Sequence, residues 1–422
     1  IPTATTRNCG ANTSPTAGSP HRSRRTNLIY CRQQRFPVRG IMRKHILLLA
    51  SGVAGSGHVF AHDAASLPDD PDAERRIVFP DTRDYLTLSV DLHTHSVFSD
   101  GHVWPRMRVE EALRDGLDGL AITEHLEWQP HRPDIINPDR NRAFEIARAS
   151  AQETGLLVIP GSEITRSMPV GHINAVFLQD SNALVLESPA TRSTIDVDEY
   201  YELTKQWPAE NALRAANSQG GFLFWNHPDW TAQQPDGIAT PTDFHLAAFA
   251  RGELHGIEIA NGDTYSEEAF QVALDHDLTL IGVSDIHELI DWDFEPHSGG
   301  HRPVTLVFTN ERSNLGLREA LFDRRTVVWY KNQLMGRPEH LRPLLEASLR
   351  PGPARYVGEA DIAIITLSNR SDATFVLENR SGYTFINSGD LVEVPAHSTF
   401  DLHVKTRGRL DEVLLDFVVR NA

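Results

Sequence analysis

The stretch Val90–Gly101, V-D-L-H-T-H-S-V-F-S-D-G, sets His93 and His95 two residues apart. On a strand that spacing points both imidazoles to one side, and the Asp100-Gly101 turn brings a carboxylate back over the strand end. Neutral imidazole and carboxylate are the ligands a borderline divalent ion takes at neutral pH. An H-x-H pair alone also describes two unremarkable surface histidines, so the rest of the chain decides. Further His, Asp and Glu residues stand just past other short apolar runs. Glu124-His125 follows Leu120–Thr123, and Glu163 follows Leu156–Ile159 after Pro-Gly-Ser. Asn226-His227-Pro228 follows Phe222–Trp225, and Asp285-Ile-His287 follows Leu280–Ser284. His172 is the exception, since Gly171-His172 opens a strand instead of closing one.

Those runs are the elements that must position the polar residues. Leu86–Leu92, Gly119–Thr123, Leu156–Ile159, Ile173–Leu178, Phe222–Trp225, Gly256–Ile259, Leu278–Val283 and Val304–Thr309 read as strands. Helical patterns lie between many of them: Val109–Arg114, Phe144–Glu153, Ala209–Ser218 and Glu267–His276. The first three are followed by Gly116, Gly155 and Gly220, which supply a left-handed residue past a helix end. The alternation predicts a parallel sheet of buried strands closed into a barrel, whose C-terminal strand ends share one rim. From about Ala354 the period changes, and Ile362–Leu367, Thr374–Leu377, Leu391–Val394 and Val413–Val419 predict a small antiparallel β domain.

At 422 residues and 40% hydrophobic, the chain accommodates one large domain and a smaller one. No apolar run approaches the roughly 18 residues of a spanning helix. The first 61 residues hold nine Lys and Arg and no acid, so the formal charge of -17 leaves -26 for the remainder. Such an acidic body repels nucleic acid. Residues 1–41 read as an upstream extension. A cationic start at Met42, the apolar Ile46–Val53 and the V-F-A exit at Ala61 describe a signal peptide over 42–61. An organelle transit peptide is the rival. The expected mature chain starts near His62, is exported, and is periplasmic. It lacks both cysteines, Cys9 and Cys31, so disulfides play no part. The expected division is 62–353 for the barrel and 354–422 for the β domain.

The ordered motifs H-T-H…D-G, T-E-H, G-S-E, G-H, N-H-P and S-D-I-H resemble those of the PHP (polymerase and histidinol phosphatase) superfamily of metal-dependent phosphoesterases, over roughly residues 85–335. The resemblance implies an α/β fold, a distorted (β/α)7 barrel, followed here by the small antiparallel β domain. It also implies two to three divalent ions (Mn, Zn or Fe). His93, His95, Glu163 and Asp285 would hold one; Glu163, as the bridging carboxylate, with His172 and His227 a second; Asp100, His125 and His287 the third. Glu124 departs from the Asp that the family often has there. More narrowly, R-I-V-F-P-D at Arg76, S-D-G-H-V-W-P-R at Ser99, E-W-Q-P-H-R-P-D at Glu127 and G-H-R-P-V-T-L-V-F at Gly300 resemble exported phosphodiesterases of the Sphingobium type (Sb-PDE), which act on small alkyl and haloalkyl phosphate diesters.

Two divalent ions sharing Glu163 lower the pKa of a water between them and make hydroxide available for in-line attack on phosphorus. Glu163 and Asp285 are therefore catalytic candidates. A third ion, Glu124 or His131 is placed to stabilise the departing alkoxide, and Glu124 alternatively tunes His125. Arg302 and His301 are candidates for phosphate contact, with a salt bridge the alternative for Arg302. Trp104, Trp128, Trp230 and Trp292 are candidates to line a pocket for ester groups. The expected activity is hydrolysis of small phosphate diesters, with a phosphomonoesterase or a catalytically retired, metal-stabilised scaffold as alternatives. The expected partner is a small phosphate ester, with no nucleic acid and no membrane span.

Overall fold

A computed structural model describes residues 76–422. The extension, the signal peptide and the mature start near His62 lie outside the described residues. Eleven strands form one curled sheet: β1 Leu86–Asp91, β2 Gly119–Ile122, β3 Leu157–Thr165, β4 His172–Val176, β5 Phe222–Trp225, β6 Gly256–Asn261, β7 Thr264–Tyr265, β8 Thr279–Val283, β9 Val304–Thr309, β10 Thr326–Tyr330 and β11 Gln333–Gly336. The order is β11-β10-β9-β1-β2-β3-β4-β5-β6-β7, with β8 also on β6. Every residue of β2, β5, β8 and β9 is buried, as continuous apolar runs require when both faces are covered.

The sheet curls until β8 meets β9 and β10 without a backbone ladder between them. Thr305 Oγ1 accepts from Gly282 N–H and lies within hydrogen-bonding distance of Gly282 O, both at 2.9 Å, and Thr326 Oγ1 donates to Leu280 O at 2.9 Å. The close approach needs Gly282, because a Cβ there would lie 2.3 Å from Val328 Cγ1. This is the expected PHP-type barrel, with one correction to the parallel reading. β1-β2-β3 and β5-β6-β8 are parallel, but β4 is antiparallel to β3 and β5, and β9 is antiparallel to β1 and β10.

Helices cover the outside. The helix Ala209–Ser218 buries Ala209, Ala212, Leu213 and Ala216, one apolar stripe at helical spacing, and Gly220 follows its end at φ +76°. The helices Asp243–Arg251, Asn314–Phe322 and Pro338–Ser348 also form, as do β10 and β11, which the sequence reading had not marked.

The antiparallel β domain follows. Leu349–Pro351, Arg355–Tyr356, Ile362–Asn369, Thr384–Phe385 and Thr399–Lys405 make one sheet, and Phe375–Asn379, Leu391–Val394 and Phe417–Val419 another. Alternate residues of both sheets, including Ile365, Leu402, Leu377 and Val392, join one core that continues through Leu344 and Trp329 of the barrel side. Of the expected strand 413–419 only Phe417–Val419 pairs; Val413 and Leu415 are buried in that core but belong to no ladder.

Candidate metal centre

Strand ends of the barrel run on past their ladders and are stitched together at one rim. Asp285 N–H donates to His93 O at 3.0 Å, His95 N–H to Ile286 O at 3.1 Å, and Thr123 N–H to Thr94 O at 3.1 Å. Glu163 N–H reaches Glu124 O at 3.0 Å, and Leu126 N–H reaches Glu163 O at 2.9 Å. The turn after His95 closes on Gly101, where a Cβ would sit 2.7 Å from the His95 carbonyl. His172 reaches the same rim because β4 runs antiparallel: its first residue lies level with Thr165, the last residue of β3, and its second, Ile173, level with Trp225, the last of β5. The sequence exception is thus a consequence of strand direction.

All nine expected ligands meet there. Asp285 Oδ1 lies 3.1 Å from both His93 Nε2 and His95 Nε2, and Glu163 Oε2 lies 3.5 and 3.4 Å from the same atoms. On the other side of that carboxylate, Glu163 Oε1 lies 2.8 Å from His172 Nδ1 and 3.5 Å from His227 Nε2. Asp100 faces His125 Nε2 at 3.2 Å and His287 Nε2 at 3.1 Å. Three overlapping groups have all their donor atoms within 4.8 Å of one another: His93-His95-Glu163, His125-Glu163-His172, and His95-Asp100-His125-His287. His95 and His125 each stand in two groups, so the division into three sites is less sharp than the resemblance implies.

The residues fit divalent ions. Asp100 Oδ1, Glu163 Oε2, His172 Nδ1 and Asp285 Oδ1 are sealed from solvent and make no aligned hydrogen bond, although other polar atoms of the cluster stand 2.6 to 3.1 Å from each, a costly condition unless something else satisfies them. Burial opposes charge on His93 and His125, yet the surrounding carboxylates outweigh it and hold both well above the usual imidazole range. His95 is lowered to about 3 by burial and by repulsion from His287 and His125, so it is a neutral donor. Burial likewise opposes ionisation of Asp100, Asp285 and Glu163, but the neighbouring histidines hold all three carboxyls below their usual range. Ionised carboxylates and imidazoles gathered this tightly call for a cation, which would take the place of the protons on His93 and His125, and the cluster binds divalent metal.

Partners behind the cluster fix it. Glu258, on β6 and buried, accepts from His93 Nδ1 at 2.8 Å, from His227 N–H at 2.6 Å and from Asn261 Nδ2 at 2.8 Å. Asn226 Nδ2 donates to Glu163 Oε1 at 2.9 Å. Buried Arg108 donates to the carbonyls of His95 and His287, both at 2.7 Å, tying the two ligand loops together. His227 and Asp285 are both held at positive φ, +25° and +50°, a strained backbone that these contacts must sustain. The sequence reading missed Glu258 and Arg108. The readable signal for Glu258 was one acid inside the apolar run G-I-E-I-A.

Other expected site residues take different places. Glu124 accepts from Ser96 Oγ, Ser96 N–H at 3.1 Å and Ser99 Oγ at 2.5 Å, and Ser99 Oγ lies 3.3 Å from His95 Nδ1. It therefore steadies the His95 loop and does not bond to His125; burial raises its carboxyl above the usual range. His131 Nε2 donates to Gly101 O at 3.1 Å and holds that turn. Arg302 is completely buried against Asp115 and Asp91, where no phosphate reaches it. His301 stacks on Trp329 with ring centres 3.5 Å apart and accepts from Asn332 N–H.

A cavity of about 1050 Å³ opens over the cluster. Asp100, His125, His172, His227, Asp285 and His287 line its floor, and Trp128, Tyr201, Trp230 and Phe294 line its walls. Glu124, His131, His301 and Arg302 are absent from the lining, as are Trp104 and Trp292. Among the described residues no Lys or Arg lines it. Arg132 is spent on the carbonyls of Thr194, Thr191 and Arg192, and Arg166 on Glu127 and two carbonyls.

Residues 349–422 match the family model DUF5001, an Ig-like domain. A two-domain protein from Bacteroides vulgatus containing a predicted PHP-like metal-dependent phosphoesterase aligns at 36% identity with a TM-score of 0.70, over 82% of this chain and 98% of its own. A candidate metal-dependent phosphoesterase from Bifidobacterium adolescentis aligns at 20% identity over 47% of this chain and 88% of its own, TM-score 0.34. The lesion-specific endonuclease EndoQ of Pyrococcus furiosus aligns at 14% identity over 56% of each chain, TM-score 0.35. Likeness at the level of the last two carries no weight. No curated protein matches.

Proposed function

The chain belongs to the PHP-like metal-dependent phosphoesterases, and from that footing we propose that it hydrolyses small phosphate diesters, dialkyl or alkyl-aryl, at the His/Asp/Glu centre. The observation that carries the diester reading is the cavity lining, which has Trp128 and Trp230 but neither Lys nor Arg among the described residues. A monoester is a dianion with one organic arm and is best held by several cationic side chains. A diester carries one charge and two arms, which suits a wall of aromatic rings.

Two or three divalent ions of Mn, Zn or Fe type would supply Lewis acidity, neutralising phosphate oxygens and acidifying the attacking water. His93, His95, Glu163 and Asp285 would hold one ion, and Glu163 with His172 and His227 a second. Asp100, His125 and His287, all of which line the cavity, would hold a third. Asn226 and Glu258 keep Glu163, His93 and His227 in orientation throughout a turnover. The narrower likeness to exported haloalkyl-diester hydrolases is part of the same proposal, as is export to the periplasm. Among the described residues no helix is long and apolar enough to cross a membrane.

A panel of phosphate mono- and diesters sharing one leaving group, run on metal-reconstituted protein at fixed ionic strength, tests the reading. Diesters should show the higher kcat/KM. A monoester preference of tenfold, about 1.4 kcal/mol in transition-state binding, would replace it with the phosphomonoesterase. Little activity on long nucleic acids is expected from the acidic body. N-terminal sequencing of exported protein should begin near His62, and an intact chain recovered from the cytoplasm would sink the export proposal.

A further inference from the structure

The metal centre does not account for the outer wall of the cavity. Trp230 is 45% exposed, and its ring centre lies 5.6 Å from that of His172 and 5.3 Å from that of His227. An arm leaving a phosphate bound at those histidines would have this indole within reach. Beside it in the chain, Asp229 also lines the cavity and has no hydrogen bond or ion pair with any described residue. The Asp293 carboxylate also lines the cavity, beside Phe294, and makes no hydrogen bond or ion pair with any described residue. Asp263, the other lining acid outside the metal cluster, is taken by Lys331. Outside the lining, Lys205 Nζ stands 4.7 Å from the centre of the Tyr201 ring and pairs with Glu202.

Resting on the diesterase reading, we infer that one ester arm of the substrate is an alkylammonium alcohol of choline or ethanolamine type, held over Trp230 and neutralised by Asp229, with Asp293 as the second acid. Aromatic faces attract ammonium groups through the ring quadrupole, and the attraction grows where water is partly excluded. A neutral arm would use the rings and leave two carboxylates idle beside them. An anionic arm would be repelled by them. A zwitterionic diester satisfies both ends: its phosphate faces the metal floor, and its cation faces the acidic aromatic wall.

The test compares two diesters on the metal-reconstituted full chain, glycerophosphocholine and its neutral isostere bearing a 3,3-dimethylbutyl arm. The choline ester should show a kcat/KM at least tenfold higher. That ratio should fall toward one in Asp229→Asn and in Trp230→Ala. Calorimetry with tetramethylammonium should show binding to the wild-type protein that weakens in Asp229→Asn. Equal kcat/KM for the two diesters, both being cleaved, overturns the ammonium assignment and leaves the diesterase standing. Rapid cleavage of a monoester with neither diester turned over overturns the diesterase reading and this inference with it.

Discussion

His93 donates its Nδ1 proton to Glu258 Oε1 across 2.8 Å, and both side chains are sealed from solvent. Glu258 accepts there, so one proton stays on Nδ1, and the second proton that the surrounding carboxylates favour sits on Nε2, the atom a metal would take. Glu258 Oε2 meanwhile accepts from the backbone of His227, a residue held at positive φ. One carboxylate thus orients two candidate ligands. Glu258→Gln turns one acceptor oxygen into a donor facing an N–H, and should weaken metal binding about 10- to 100-fold. Titration against a competing chelator reads this directly; unchanged affinity would remove Glu258 from the centre.

Glu163→Gln keeps the shape at the middle of the cluster and removes the charge that two groups of ligands share. Loss of bound metal and of nearly all turnover is expected, measured by metal analysis and by assay of the same preparation. His403→Gln, on the strand Thr399–Lys405 of the β domain, should change neither. Near wild-type turnover by Glu163→Gln would show that the bridging role is misassigned.

Much of this site was readable from the chain because a strand buried on both faces tolerates polar residues mainly where it ends. His93, His125, His227 and Asp285 stand just past such ends and Glu163 two residues before one, and the apolar runs mark them. The direction of β4 was readable too, though not used. Only the six residues 166–171 separate β3 from β4, and a parallel return needs a dozen or more. Arg302 was not readable: its partners Asp91 and Asp115 lie 211 and 187 residues away, and no local pattern announces a pairing of that range. The same holds for Arg108, whose acceptors include carbonyls at His95 and at His287.

Two histidines outside the centre give the fold a pH dependence of its own. His245 stacks on Trp225 with ring centres 3.9 Å apart, donates from Nε2 to Val170 O and accepts at Nδ1 from Thr242 N–H. His255 Nδ1 accepts from Leu223 N–H. Burial lowers both to about 4, against about 6.5 in the unfolded chain. Between those values the unfolded chain binds more protons, so their contribution is complete above pH 6.5 and is lost as pH falls toward 4. The loss is on the order of 3 kcal/mol per histidine. The raised imidazoles of the centre, His93 and His125 among them, are charged in both folded and unfolded protein below pH 6, so urea midpoints of chelator-treated protein should fall from pH 5.5 to 4.5, and His245→Gln should flatten the decline. A flat wild-type profile would show that neither imidazole is held neutral.

Arg302 lies on the segment just before β9, with Nε and Nη2 2.8 and 2.7 Å from Asp115 Oδ2 and Nη1 3.2 Å from Asp91 Oδ2. Asp91 also accepts from Ser284 N–H at 3.1 Å and Ser284 Oγ at 2.5 Å, and the next residue is Asp285. A buried guanidinium is thus linked through one carboxylate to the backbone that carries a candidate ligand. Arg302→Met leaves two buried acids without their cation, which should cost about 3–5 kcal/mol of stability. It should also weaken metal binding, because Ser284 loses a fixed acceptor. Arg302→Lys should recover little, since an ammonium cannot span both carboxylates in the same fork. Adding Asp91→Asn to Arg302→Met removes one of the stranded charges, so the double variant should be more stable than the two single losses added together. Thermal denaturation with and without chelator separates the two effects. A residue in contact with substrate would instead raise KM and leave the melting temperature where it was, and that pattern would return Arg302 to the phosphate.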